Sequence, residues 1–182
     1  MFLCFWVRYV SHSCISLISV KEAQFNTIVK NSMQDSSGFA YKISDVGGGA
    51  QQRRPFDGFG IIKDKMVCWE AKRMKGVYAF NLKEVFEGDR GHQMDTFELF
   101  SKLPHPPHLW VILCCYVPRK SRVYTFSYEL LKDWYEKGTT SITQDTLMNL
   151  LPYTTIKNKR IRDFILIDKI TEEEIQDGRR AS

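Results

Sequence analysis

The sequence predicts an α/β protein in which a central mixed β-sheet is flanked by helices. Apolar residues recur at helical spacing over residues 21–33. Two apolar stretches, 59–62 and 66–69, are joined by a short polar turn, which predicts a β-hairpin. The unbroken apolar run 109–117 has the length of a strand covered on both faces. A helix, a hairpin and a buried strand together indicate the mixed class.

The first half of the patterned chain begins with the helix at residues 21–33. Phe25, Ile28, Val29 and Met33 lie on one side of it, and Ser36-Ser37-Gly38 supplies a stop. Alternation over residues 39–43 predicts a strand. The segment 47–54 is rich in glycine and arginine, which predicts a flexible basic connection to the hairpin.

The second half alternates between helices and strands. Residues 78–82 can add a strand, and a helix at 89–103 is ended by Pro104. The run 109–117 turns into a returning strand at 123–126. Further predicted elements are an amphipathic helix at 129–137, a short helix at 145–151 and a strand at 164–167.

The pattern predicts one domain, because no internal repeat or long linker divides it. Residues 1–20 are apolar but interrupted by Arg8 and His12, so they meet the criteria for a membrane span and for a signal peptide poorly. We expect an N-terminal extension at 1–20, outside the domain. The domain itself spans 21–170, and 171–182 form a frayed tail.

Charge and cysteine content limit the classes of function that the sequence allows. The net charge is +5, and the basic residues occur in clusters that suit a polyanion. The five cysteines show no CxxC spacing, which argues against a zinc site or a redox pair and favours a reduced, intracellular setting without a membrane partner. Cys114 and Cys115 lie in the apolar run and are expected to act as small hydrophobes.

Three polar residues lie on and beside the predicted hairpin. Asp57 precedes its first strand, and Glu70 and Lys72 lie two positions apart on its second strand. Residues two apart on a strand share a face, so Glu70 and Lys72 point to the same side as Cys68. Only the opposite face is then apolar enough to be core.

The turn decides which residues of the hairpin oppose each other. A turn centred on 64–65 predicts Phe59 opposite Glu70 and Asp57 opposite Lys72. Asp57 and Glu70 would be diagonal neighbours about 7 to 8 Å apart at the backbone, so both carboxylates could reach one hard cation. A slip of one residue would move Asp57 to the other face.

Asp57, Glu70 and Lys72 together suit phosphodiester hydrolysis. The two carboxylates could hold Mg²⁺, for which Mn²⁺ can substitute, and such a metal polarises the phosphate and lowers the pKa of a bound water. Lys72 would orient that water or offset charge in the transition state. The alternative interpretation is a surface strand that carries an ordinary salt bridge.

The same residues resemble a nuclease signature. Asp57 with Glu70-Ala71-Lys72 is similar to the PD-(D/E)XK pattern, with Phe56 before the aspartate. The layout from about Glu22 to Asp168 also resembles that of RecU-type Holliday junction resolvases. The motifs in the expected order are Asp57-Gly58-Phe59-Gly60, Glu70-Ala71-Lys72, Phe80-Asn81-Leu82-Lys83 and His92-Gln93.

This resemblance implies a restriction-endonuclease-like fold, a homodimer, the cytoplasm of a bacterial or phage-infected cell, and paired Mg²⁺-dependent nicks in a four-way DNA junction during recombination or repair. It also implies that Glu22 is an accessory acid near the metal and that Gln93 contacts the phosphate or the attacking water. Glu22 equally fits a residue that favours a helix N-terminus, and Gln93 an exposed helix residue.

The interval 44–55 departs from the RecU-type pattern. Those enzymes resemble one another in a projecting stalk between early strands, whereas this interval is short and glycine-rich. A restriction-like or repair nuclease acting on duplex DNA therefore stays open, as does a non-catalytic DNA-binding protein of the same fold. The residues expected to grip backbone phosphates are Arg53, Arg54, Lys75, Lys157, Lys159 and Arg160.

Overall fold

The computed structural model describes residues 21–43, 55–74, 79–88, 92–117 and 120–169. These residues form helices and strands of a mixed α/β fold, which confirms the predicted class. The expected N-terminal extension, the C-terminal tail and the glycine-rich connection at 47–54 lie outside the described residues. No helix in the described ranges is both long and apolar enough to cross a membrane.

The elements follow one another in chain order. The helices are α1 (Glu22–Ser37), α2 (Leu82–Glu87), α3 (His92–Ser101), α4 (Tyr128–Glu136) and α5 (Gln144–Leu150). The strands are β1 (Ala40–Lys42), β2 (Gly58–Ile62), β3 (Lys65–Arg73), β4 (Ala79–Asn81), β5 (His108–Val117), β6 (Lys120–Ser127), β7 (Ser141–Thr143), β8 (Thr154–Lys157), β9 (Arg160–Ile161) and β10 (Leu166–Ile167).

Eight of the described strands form one mixed sheet. Its order is β1-β2-β3-β5-β6-β8-β9, and β10 pairs with β6 in parallel. β3 and β5 are parallel, whereas β2 with β3 and β5 with β6 are antiparallel. β4 and β7 form a separate antiparallel pair. Helix α1 contacts β1, β2 and β3 at one end of the order and β9 at the other, so the sheet curls around this helix.

Helices cover both faces of the sheet. On one face α1 buries Phe25, Val29 and Met33 against Trp69 of β3 and residues of β5. On the other face α2, α3, α4 and α5 pack against Cys68 and the alternate residues of β5. The prediction of a doubly covered central strand is therefore confirmed for β5. The expectation that only one face of β3 is core is wrong, because both faces of β3 are covered.

The turn between β2 and β3 has two central residues, Lys63 and Asp64, with φ of 48° and 63°. Positive φ at both positions is the geometry of a two-residue type I′ turn, which matches the twist of the strands it joins. The pairing runs from Ile62 opposite Lys65 to Phe59 opposite Cys68. The predicted register is thus wrong by two residues, because the turn is centred one position earlier than expected.

A shift of two residues leaves every side chain on its predicted face. Phe59 still points to the side of Cys68, as do Glu70 and Lys72 further along β3. The pairing ends with Gly58 opposite Trp69. Asp57 therefore lies one residue beyond the last pair and beside Glu70 rather than opposite Lys72.

The described cysteines are free and buried. Burial raises the pKa of the Cys68 thiol to about 11 and that of Cys114 to about 12. Both thiols therefore stay protonated at neutral pH. Cys114 and Cys115 lie within hydrophobic clusters, as expected for residues that act as small hydrophobes.

Candidate functional site

The candidate site lies where β2 begins beside the middle of β3. Asp57 precedes β2, while Glu70 and Lys72 lie on β3. Asp57 is 1% exposed and Glu70 is 0% exposed. The interpretation of these residues as a salt bridge on a surface strand is therefore wrong, because the carboxylates lie inside the protein.

Three hydrogen bonds fix Asp57 in place. Its backbone N–H donates to the carbonyl of Trp69 at 3.1 Å, and its own carbonyl accepts from the N–H of Ile43 at 2.9 Å. Its side-chain Oδ2 accepts from the backbone N–H of Ala71 at 2.9 Å. Because β2 begins only at Gly58, the Asp57 side chain supplies the acceptor that a longer strand would have offered to Ala71.

Lys72 lies between a carboxylate and an amide. Its Nζ is 2.8 Å from Oε1 of Glu70 and donates to Oε1 of Gln93 at 3.0 Å. The Lys72 side chain is 11% exposed. Gln93 is on the first turn of α3 and is 2% exposed, so its interpretation as an exposed helix residue is wrong. Gln93 instead holds the ammonium from the helix that covers this face of β3.

A cavity of 510 Å³ opens at the end of β3. Lys72 and Arg73 line it from the strand, and Glu22 lines it from the first residue of α1. Asp57 and Glu70 are not among its lining residues. Lys72 thus contacts both the cavity and Glu70, so a ligand in the cavity would meet the ammonium before the buried carboxylates. The lining residues are Glu22, Lys72, Arg73, Met74, Ala79, Phe80, Asn81, Glu84, Val85 and Gly88.

The buried carboxylates fit a magnesium site of a particular kind. In the part of the chain that the structure describes, no group of three or more His, Cys, Asp or Glu side chains could hold a metal ion together. The predicted set of Asp57, Glu70 and Glu22 is therefore not assembled, and Glu22 lines the cavity instead. Mg²⁺ usually binds through one or two carboxylates and keeps waters or phosphate oxygens as its other ligands. Asp57 and Glu70 would supply the two carboxylates of such a site.

Of the residues predicted to bind DNA, the three that the structure describes all lie at the β8–β9 hairpin. Lys157 and Lys159 are exposed at the β8–β9 hairpin, whose two turn residues, Asn158 and Lys159, have positive φ. Nε of Arg160 lies 2.5 Å from Oδ2 of Asp35 on α1, so this guanidinium is engaged within the protein. The remaining members of the predicted set, Arg53, Arg54 and Lys75, lie outside the described residues.

Some cavity residues were not predicted as functional. Arg73 lies beside Lys72 in a basic cluster of the sequence, and this position could have identified it as a candidate site residue. Asn81 accepts a hydrogen bond from the backbone N–H of Glu84 at 3.0 Å and so caps α2, a role that its place before a helix could have indicated. Nothing in the local sequence marks Glu84 as a cavity residue.

The site thus combines two buried carboxylates, an ammonium held between Glu70 and Gln93, and a cavity whose lining includes two basic and two acidic side chains. Asp57, Glu70, Lys72 and Gln93 come together from the start of β2, from β3 and from α3. Neither a scan against protein-family models nor a search of curated proteins finds a match to this chain.

Proposed function

We propose that this protein is a metal-dependent endodeoxyribonuclease with a restriction-endonuclease-like fold, acting on branched DNA. The observation that carries the proposal is the position of the Lys72 ammonium, which lies 2.8 Å from Glu70 and 3.0 Å from Gln93. Lys72 is on β3, and the backbone N–H of the preceding residue, Ala71, donates a hydrogen bond to Asp57. An aspartate, a glutamate and a lysine in this arrangement are the parts that phosphodiester hydrolysis needs. The mixed sheet with helices on both faces is compatible with the proposed fold.

Each residue has a defined task in the proposed chemistry. Asp57 and Glu70 would hold Mg²⁺ or Mn²⁺, which when bound polarises the scissile phosphate and activates a water. Lys72 carries a positive charge at the cavity, where it can orient the attacking water or offset negative charge in the transition state. Gln93 fixes the direction of the Lys72 side chain by accepting a hydrogen bond from one of its three N–H groups.

The DNA would approach from the side of the cavity. Arg73 lies next to Lys72 on its wall, and a guanidinium binds phosphate oxygens in a fixed geometry. The exposed lysines of the β8–β9 hairpin can hold backbone phosphates further away. The RecU-type layout of the motifs favours a four-way junction as substrate and a homodimer as the active form, because two paired nicks need two sites.

The direct test uses a labelled four-way junction and a linear duplex of the same sequence, each with Mg²⁺ or with EDTA. We expect symmetric nicking of the junction that EDTA abolishes. Asp57→Asn should reduce cleavage by at least about 100-fold, because it removes a charged metal ligand. Asp64→Asn is the matched control: it makes the same chemical change in the exposed β2–β3 turn, where asparagine tolerates positive φ, and it should cleave like the wild type.

The other outcomes separate the alternatives. Equal cleavage of the junction and the duplex would identify a restriction-like or repair nuclease and remove the claim of junction selectivity. Binding of DNA without cleavage, equal in wild type and Asp57→Asn, would identify a non-catalytic DNA-binding protein. Cleavage that persists in Asp57→Asn would show that the site lies elsewhere.

A further inference from the structure

Trp69 connects the candidate site to helix α1. It lies on β3 beside Glu70, but its side chain points to the opposite face of the sheet, into the cluster under α1. Its side chain is 0% exposed, and it is among the largest fully buried side chains of the described residues. The residue that carries this indole is thus the direct neighbour of Glu70 on β3.

Asn26 binds the indole from the helix. It is 2% exposed among the apolar residues of the inner face of α1, and its Oδ1 accepts a hydrogen bond from Nε1 of Trp69 at 3.1 Å. A buried amide costs free energy unless it is hydrogen-bonded, and an apolar residue could fill the same space. Unlike an apolar residue, the Asn26 amide forms a directional hydrogen bond, and this bond fixes where the indole lies relative to the helix.

Gly58 leaves room for the indole on the neighbouring strand. A Cβ atom at this position would lie 2.3 Å from Cζ2 of Trp69 and 2.5 Å from the carbonyl oxygen of Tyr41. These distances are far below contact distance, so the indole occupies the space that any other side chain at position 58 would need. The residue next to Asp57 is thereby packed directly against Trp69.

The backbone of β3 links the position of Trp69 to the carboxylates of Asp57 and Glu70. The Trp69 carbonyl accepts from the Asp57 N–H at 3.1 Å, and the Ala71 N–H donates to Oδ2 of Asp57 at 2.9 Å. Glu70 lies between these two anchoring residues. The distance from Asp57 to Glu70 therefore depends on the position of the Trp69 side chain.

We propose that Asn26 and Gly58 are positioning residues that act through Trp69 to set the spacing of Asp57 and Glu70 for a divalent cation. This inference rests on the proposed metal-dependent function. It assigns to α1 a role in metal affinity, carried by a residue that touches neither the metal nor DNA. Residues that support metal ligands from a distance commonly change affinity by about 10- to 100-fold when they are replaced.

The test compares Asn26→Leu with Ser32→Ala. Asn26→Leu keeps the apolar packing and removes the bond to Trp69. Ser32 is the matched control, because it is also a buried polar residue of α1 that binds a strand, accepting from the Ile161 N–H at 2.8 Å, but it lies on the part of the helix next to β9. Two quantities are measured for the full chain: the affinity for Mn²⁺ alone by electron paramagnetic resonance, and hydrogen exchange of the Asp57 and Ala71 amides without metal.

We expect Asn26→Leu to weaken Mn²⁺ binding by about tenfold and to raise exchange at both amides several-fold. Ser32→Ala should leave both quantities near wild type even if it lowers the unfolding temperature equally. Trp69→Phe, which removes the N–H donor from the other partner, should reproduce the Asn26→Leu result and replaces that variant should it fail to fold.

The two measurements distinguish the possible failures. Unchanged amide exchange and unchanged Mn²⁺ affinity in Asn26→Leu, or equal changes in Ser32→Ala, would overturn the positioning role. Wild-type protein that binds no Mn²⁺, or binds it equally after Asp57→Asn, would overturn the proposed function, and the amide exchange would still decide whether Asn26 positions Asp57.

Discussion

Glu70 and Lys72 form an ion pair on a strand that is covered on both faces. Taking two charges out of water costs several kcal/mol per ion, and a well-packed apolar pair is often at least as stable. Stability alone therefore does not account for this pair. Of the two residues, Lys72 lines the cavity and Glu70 does not, so the charge of Lys72 is available to a ligand there.

Removal of one partner should reveal the energetic cost of this burial. Lys72→Met leaves the Glu70 carboxylate buried without its ammonium, so we expect the free energy of unfolding to fall by about 3 kcal/mol. Urea denaturation at pH 7 measures this value. The double variant Glu70→Gln with Lys72→Met should recover most of the loss, because no buried charge then remains unpaired.

An exposed pair provides the comparison. Lys137 Nζ lies 3.0 Å from Asp133, and these side chains are 56% and 51% exposed. Lys137→Met should change the unfolding free energy by less than about 0.5 kcal/mol, because water screens the pair. If Lys72→Met were as mild as Lys137→Met, the Glu70 carboxylate would not be desolvated as described.

At the scale of elements, strong periodic patterns predicted the structure well. α1, the β2–β3 hairpin, β5 and α4 all lie close to their predicted positions, because each carries several apolar residues at the spacing of its own element. β7 was missed, since its three residues include a single buried apolar side chain, Ile142, and are defined by pairing with the distant β4. Local pattern carries no information on such a partner.

The turn of the hairpin was predicted, but its centre was placed one position too late. Type I′ turns favour asparagine or glycine, which adopt positive φ readily, whereas here Lys63 and Asp64 occupy the two positions. The tertiary fit of β2 between β1 and β3 overrides the local preference. The prediction that Glu70 and Lys72 share one face of β3 was possible because it depends only on whether their spacing is even or odd.

Helix α3, which supplies Gln93, is fastened to α4 through Glu98. The Glu98 carboxylate accepts hydrogen bonds from Lys132 and from the Tyr128 hydroxyl at 2.9 Å, and it pairs with Lys102 at 3.0 Å. The bond from Lys132, followed by those from Lys102 and Tyr128, lowers the pKa of Glu98 from 4.5 to about 2. The charged form of Glu98 is thus favoured in the folded protein.

This shift gives stability a defined pH dependence. Because the folded pKa lies below the unfolded one, the contribution of Glu98 is fully present above about pH 4.5 and is lost as the pH falls towards 2. The difference in unfolding free energy between wild type and Glu98→Gln should therefore be largest at pH 7 and shrink between those values. Urea denaturation across this range measures it, with Glu129→Gln on α4 as control. A difference that grew at low pH would contradict the assignment.

At the scale of the whole molecule, α1 connects the cavity to the β8–β9 hairpin. Glu22 at its start lines the cavity, and Asp35 near its end binds Arg160 of the β8–β9 hairpin. Thirteen residues of helix correspond to about 20 Å, so the hairpin lies roughly that far from the cavity along the helix. A duplex would need about six base pairs to reach from one to the other.

The hairpin should therefore contribute to affinity without affecting the chemical step. Lys157→Gln with Lys159→Asn removes two charges and should lower the salt dependence of binding by about one unit of slope per lysine. Cleavage at saturating DNA should be unchanged. Fluorescence anisotropy at several salt concentrations measures the slope, and Lys83→Gln with Lys137→Gln gives the same change of charge at lysines that pair with Glu87 and Asp133. Equal slopes in both double variants would exclude the hairpin as a specific phosphate contact.

The contacts that hold the site residues in place are the part of the structure that the sequence predicts least well. Asp57, Glu70 and Lys72 could be found because their residue types and even spacing are visible in one short stretch. The bond between Asn26 and Trp69 joins residues 43 positions apart, and neither residue is unusual in its local context. Only the packing of α1 on the sheet brings them together.

The β2–β3 pairing also limits how this chain can evolve. Gain of a single residue within β2 that no bulge absorbs would carry Asp57 to the side of α1, whereas a gain of two residues would preserve its face. Point substitutions and changes of loop length can accumulate at the exposed Lys63 and Asp64, because neither alters the pairing of the strands. Descendants of this sequence that keep the Asp57–Glu70 arrangement should therefore vary more in the length of the turn than in the length of β2.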